Sequence, residues 1–194
     1  MLNEIKRTQG MPVGDLADRL GMSYMGVKGV CLDLQKRGLL DTWRLPPKIG
    51  RPQLLYRLTE RAHDLFPTES NAMTLDLLQA AQKLFGASAA EKLLLITFQK
   101  KGEQYLPRMK GGTLAERAKS LAKLRDAEGC MAGCEEGESA LRIVEHHSPI
   151  LDLLRAFPIV AKLETEMFQR LLNAAVHRTE ISASGLFCAT FEIG

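Results

Sequence analysis

No run of apolar side chains in this sequence approaches the roughly 18 residues that a membrane helix needs, so a membrane-spanning chain is not expected. The opening segment, Met1-Leu-Asn-Glu-Ile-Lys-Arg7, lacks the apolar core of a signal peptide, and a cytoplasmic protein is expected. The common catalytic signatures are missing as well. There is no G-x-x-x-x-G-K-[ST] phosphate loop, no G-x-G-x-x-G, no nucleophile elbow and no H-E-x-x-H, so nothing marks the chain as an enzyme. Internal repeats and low-complexity tracts are absent too. Cysteine is scarce. Cys31, Cys130, Cys134 and Cys188 are the four, and without an export signal they are expected as thiols rather than disulfides.

What is present is ordinary in amount and uneven in placement. The 194 residues suffice for one large domain or two small ones, and 45% apolar with 25% charged residues is usual for a soluble globular protein. The formal net charge is only +3. Residues 1–75 hold 11 of the 26 Lys and Arg and 8 of the 23 Asp and Glu, net +3, and the remaining 15 basic and 15 acidic residues cancel. The whole excess therefore sits in the N-terminal part, which points toward a phosphate-bearing partner.

That part is organised around Val13 to Thr59. Leu2 and Ile5 suggest a short first helix, ended near Gly10 and Pro12. Val13, Leu16, Ala17 and Leu20 recur at i, i+3, i+4, i+7 and predict a second helix, broken at Gly21 in the manner of a helix-turn-helix. Ser23 is placed to cap a third helix whose buried face is Val27, Val30, Cys31 and Leu34 and which ends at Gly38. In such a unit the exposed side of the third helix enters the DNA major groove, and its candidates are Ser23, Tyr24, Met25, Lys28 and Gly29. Gly26 and Gly29 each cost about 1 kcal/mol relative to Ala inside a helix. They either let the backbone approach DNA closely or mark a less stable helix.

A basic ribbon follows. Leu39 to Leu45 reads as one strand, Pro46 to Pro52 as a tip, and Leu54 to Leu58 as the returning strand of a wing. Arg44 on the strand, with Lys48 and Arg51 at the tip, suits phosphate or minor-groove contact, although each alone reads equally well as a solvated charge. Thr59 is placed to cap a helix through Phe66, stopped by Pro67.

Residues 73–128 read as three helices. Met73, Leu77, Leu78, Ala81 and Leu84 make one stripe, Ser88 opens the second helix, and Thr113 with Glu116 has capping-box spacing for the third. These helices either pair two subunits or pack on their own chain. From Cys130 the pattern becomes α+β. Met131–Cys134 and Leu141–Glu145 are expected as strands, Pro149–Arg155 and Pro158–Leu172 as helices, and Val176–Ile181 with Leu186–Ile193 as a hairpin. The fold class expected is α+β: a winged helix-turn-helix domain over 1–69, a helical linker and dimerisation region over 70–128, and a small sensor or dimerisation domain over 129–194.

The most polar spot in the C-terminal half is Glu145-His146-His147-Ser148. Adjacent histidines on a strand face opposite ways, so one of them could join Cys130, Cys134 or Cys188 around a metal or another ligand. The plainer alternative is one core and one surface histidine. Glu164 and Glu166 read as solvated or capping charges.

Over nearly the whole chain these residues resemble the ArsR-like winged-helix transcriptional regulators that include the Suf-operon repressor of iron–sulfur cluster assembly. The matching pieces are Gly50-Arg-Pro-x-x-x-Tyr-x-Leu-Thr59, Leu65-Phe-Pro67, Glu116-Arg117 with Leu121 and Leu124-Arg125, and Ala127-Glu-Gly-x-Met-Ala132. Then come Glu145-His146, Phe157-Pro158, Glu164, Glu166-Met-Phe168, Val176-x-Arg178-Thr179, and Gly185 before Cys188. The resemblance implies a homodimeric DNA-binding regulator, often a repressor. In the best-known members, cysteines of the C-terminal domain sense an iron–sulfur cluster. Here Ser148 and Ala161 stand where two of those cysteines would be, and only Cys188 falls at a matching place. Cluster binding is therefore not carried over.

The function expected is a sequence-specific regulator that binds double-stranded DNA as a homodimer, with an effector the sequence does not name. Two other readings stay open: a winged helix used for protein–protein contact, and a switch that depends on a metal or an iron–sulfur cluster.

Overall fold

The computed structural model describes residues 1–45, 53–66, 71–137, 140–183 and 186–194. The chain is mixed α+β and divides into two units, residues 1–66 with 181–187 and residues 67–180 with 188–194. Among the described residues no helix is long and apolar enough to cross a membrane.

The first unit runs α1 Leu2–Thr8, α2 Val13–Leu20, α3 Tyr24–Lys36, β1 Leu40–Leu45 and β2 Gln53–Leu58. α2 stops at Gly21, whose φ of 62° lies in the left-handed region where a side chain is strained. Ser23 then caps α3, its hydroxyl oxygen accepting from the Gly26 N–H at 3.2 Å. α2 packs on α3. Val13, Leu16 and Ala17 of α2 and Val27 and Cys31 of α3 are buried. Val30, expected in that buried stripe, is 42% exposed. At 100° per residue it falls on the edge of the face that Val27 and Cys31 centre, and the packing surface ends there.

β1 and β2 pair antiparallel from Leu40↔Leu58 to Leu45↔Gln53. Met11 bridges the outer side of β2 by exchanging two backbone hydrogen bonds with Tyr56, each 2.9 Å. The tip between the strands, with the expected contacts Lys48 and Arg51, lies outside the described residues. Thr59 does not cap the next element with its side chain. Its hydroxyl donates to the Gly38 carbonyl at 2.6 Å, tying the end of β2 to the end of α3, and a 3-10 helix, Glu60–Leu65, follows.

The second unit begins with α4 Ala72–Phe85, α5 Ala89–Tyr105 and α6 Leu114–Ala127. It continues with β3 Ala132–Glu136, β4 Leu141–Glu145, α7 Leu151–Ala156 and α8 Ile159–Leu172, and then with β5 Val176–Ala183 and β6 Leu186–Ile193 apart from residues 181–187, which belong to the first unit. The sheet order is β3-β4-β6-β5, with β4 antiparallel to both neighbours. α6 packs on β3 and β4, and α5 packs on α8. Leu121, Ile143, Phe168, Leu172 and Phe191 are buried to within 2% or less, with the Phe168 and Phe191 rings stacked at 4.2 Å. The expected apolar stripe of α4 is only partly inward. Leu78 and Ala81 are buried, but Met73, Leu77 and Leu84 are 73%, 60% and 73% exposed. The reason is that α4 packs mainly on α5, and one neighbouring helix covers less arc than the stripe spans.

Candidate functional site

Of residues 21–30, only Val27 is buried. The start of α3 is thus held by one face and presents the rest outward. Opposite Val27 and Cys31, helical geometry aligns Met25, Lys28, Gly29, Leu32 and Lys36 at i, i+3, i+4, i+7 and i+11. Met25 is 72% exposed and Leu32 44%, and both lysines are exposed. Tyr24, 53% exposed, stands to one side. Ser23 is exposed but engaged in the cap.

The sequence points to Ser23, Tyr24, Met25, Lys28 and Gly29. Leu32 and Lys36 belong to the same outward stripe, and the spacing alone would have found them. On β1, Arg44 is exposed. Near it, the Arg57 guanidinium lies 4.7 Å from the Trp43 ring centre and pairs with Asp41 at 3.2 Å. A hydrogen bond from the Thr42 N–H, then Arg57, holds the Asp41 carboxyl below its usual range. Arg57 is therefore braced, whereas Arg44 has no ion pair among those found for the described residues.

The second unit contains a different kind of site. Arg125, in the last turn of α6, is 1% exposed. Its Nε and Nη2 donate to the two carboxylate oxygens of Glu145 at 2.6 and 2.9 Å, and Nη2 also donates to Glu164 at 2.7 Å. The guanidinium thus joins the end of α6 to the end of β4 and to the middle of α8. Glu164, expected as a solvated or capping charge, is 1% exposed. Burial raises its carboxyl above the usual range, against the pull of Arg125. Beside this cluster a cleft of about 460 Å³ is lined by Lys100, Lys101, Arg125, Glu128 and Cys130, among others. Lys101 pairs with Glu128 at 2.7 Å across it. The cluster offers no nucleophile, and its donors and acceptors are largely satisfied by each other.

The histidines do not lie on a strand as expected. β4 ends at Glu145, and His146 and His147 form the bend after it, their N–H groups donating to Met131 at 3.3 Å and Cys130 at 3.0 Å. His147 is 4% exposed and His146 is half-buried. Burial pushes the Cys130 thiol far up and the Cys134 thiol up. Cys134 pairs with Ile143, which pairs with Phe191, and Cys188 lies three residues along β6 from Phe191. The register therefore separates Cys134 from Cys188. Among the described residues no three of His, Cys, Asp and Glu come together as a metal would require.

Neither a model of a known family nor a curated protein matches the chain.

Proposed function

We propose that the chain is a sequence-specific DNA-binding transcriptional regulator, most simply a repressor, acting as a homodimer. In this reading the first unit is a winged helix-turn-helix, α3 is its recognition helix, and β1 and β2 with residues 46–52 are its wing. The observation that carries it is the exposure of α3: a 13-residue helix in which only Val27 and Cys31 are fully buried, with Lys28 and Lys36 outward. A helix held by one narrow face and free on the other fits a major groove. The excess of positive charge in residues 1–75, and the resemblance of the wing segment to the ArsR-like regulators, point the same way. A second copy is supported by α4, where Met73, Leu77, Leu84 and Phe85 are 60–79% exposed.

The iron–sulfur cluster of the resembling regulators does not fit this chain. Ser148 and Ala161 supply no thiolate, Cys130 is buried, and Cys134 and Cys188 are set apart by the strand register.

The test is a gel shift of the full-length protein against the DNA upstream of its own coding sequence, repeated over a salt series. Selective binding with a linear fall of log affinity on log salt supports the proposal. Arg44→Ala is expected to weaken binding to all duplexes alike and to reduce the salt slope by about 1. The apolar side chains Met25 and Leu32 favour a second reading, a protein-binding winged helix. A protein that shifts no duplex selectively would overturn the first reading and favour the second.

A further inference from the structure

The chemistry of the α3 face restricts how it could read a base sequence, if the proposed DNA interface is correct. Paired contacts to base edges come from Asn or Gln on adenine and from Arg or Lys on guanine. The outward stripe of α3 has no Asn, Gln or Arg. It consists of Met25, Lys28, Gly29, Leu32 and Lys36. Gln35 is half-buried, and on the flank Asp33 is engaged by Arg37 at 2.9 Å. What remains on the stripe is two apolar side chains and two lysine ammonium groups, with Tyr24 to one side.

Gly29 lies between Met25 and Leu32, and its backbone is ordinary helix. A Cβ added there would meet nothing within 4 Å. No packing inside the chain therefore calls for glycine, although glycine there weakens the helix. Gly26 differs, since a Cβ there would stand 3.1 Å from the capping oxygen of Ser23. The missing side chain at Gly29 leaves a shallow saddle with an apolar wall on each side.

We propose that α3 reads thymine. The 5-methyl groups at the floor of the major groove would seat in the saddle of Met25, Gly29 and Leu32, while Lys28 and Lys36 contact guanine acceptors or phosphates on either side. Among the base edges in that groove only thymine presents an apolar group. The saddle is the complement of that group, and with no Asn or Gln on the stripe to read adenine it is the stripe's means of recognising an A·T pair.

The experiment has two arms. Duplexes bound by the full-length protein are first selected from a random pool, and thymines in the enriched half-site are then replaced one at a time by deoxyuridine. This keeps every hydrogen bond and removes only the methyl. Roughly fourfold weaker binding is expected for each seated methyl, as for burial of one methylene-sized group. The second arm is Gly29→Ala, for which the two readouts move in opposite directions. The thermal midpoint should rise, because alanine is the better helix former, while affinity for the selected duplex should fall about tenfold or more. An enriched duplex that binds equally well with deoxyuridine throughout overturns thymine reading and leaves DNA binding intact. A Gly29→Ala protein with unchanged affinity does the same. A pool with no enriched sequence overturns the DNA-binding proposal itself, and this inference with it.

Discussion

Arg125 is the side chain on which most of the second unit's polar interior depends. It is a single guanidinium, 1% exposed, facing two carboxylates. Removing one partner of a buried ion cluster leaves charge uncompensated in a poor solvent. Arg125→Met is therefore expected to destabilise the second unit by about 3–5 kcal/mol in urea denaturation. Replacing all three residues with Met and Leu should recover much of that loss, because no charge is then stranded. A triple variant weaker than the single one would show that the cluster is a net source of stability. Lys6 gives a second prediction at this scale. It is 2% exposed with its ammonium 3.7 Å from the Phe66 ring centre, and burial lowers its pKa from 10.5 to about 8. The unfolded state therefore holds more protons than the folded state between those values, and the contribution of Lys6 to stability rises with pH across that window. The difference in thermal midpoint between the wild type and Lys6→Met should therefore move in favour of the wild type between pH 8 and 10.5, and a constant difference would contradict the assignment.

At the scale of elements, helix ends were the most legible feature. Thr113 and Glu116 form the expected capping box. The Thr113 hydroxyl accepts from the Glu116 N–H at 3.2 Å, and the Glu116 carboxylate accepts from the Thr113 and Gly112 N–H groups at 3.0 and 2.9 Å. Those backbone hydrogen bonds hold the Glu116 carboxyl below its usual range. Thr113→Ala should cost about 1 kcal/mol, read as a lower denaturation midpoint with an unchanged slope. Ser23 and Gly21 were equally readable, because a cap involves three or four consecutive residues. Apolar stripes were less so. The period of α3 and α4 was correct, yet Val30 and most of the α4 stripe are exposed. Periodicity tells which residues share a face, and only the neighbouring element decides how much of that face is covered.

For the whole molecule, the exposed side chains of α4 give the clearest prediction. If a second copy covers them, light scattering should find a dimer. A Leu77→Lys, Phe85→Lys protein should be a monomer with unchanged circular dichroism. A wild-type monomer at all concentrations would remove the homodimer from the proposal. The two units also differ in how their candidate sites could be read. The α3 face lies on one helix, so Tyr24, Met25 and Lys28 were legible from spacing. The Arg125 cluster was not, because its members lie 20 and 39 residues apart and no local rule joins them.

The amino-acid sequence by itself determined the order of the elements, the turn at Gly21, the caps at Ser23 and Thr113, and the pairing of β1 with β2. Each of these is settled by backbone preferences and hydrogen bonds within a few residues. Only the tertiary structure decided that Glu164 is an interior partner rather than a surface charge. It also decided that Thr59 ties β2 to α3 and that Cys134 and Cys188 do not meet. Those outcomes depend on strand register and on how α6, β4 and α8 converge, and both are set by the packing of segments distant in the chain.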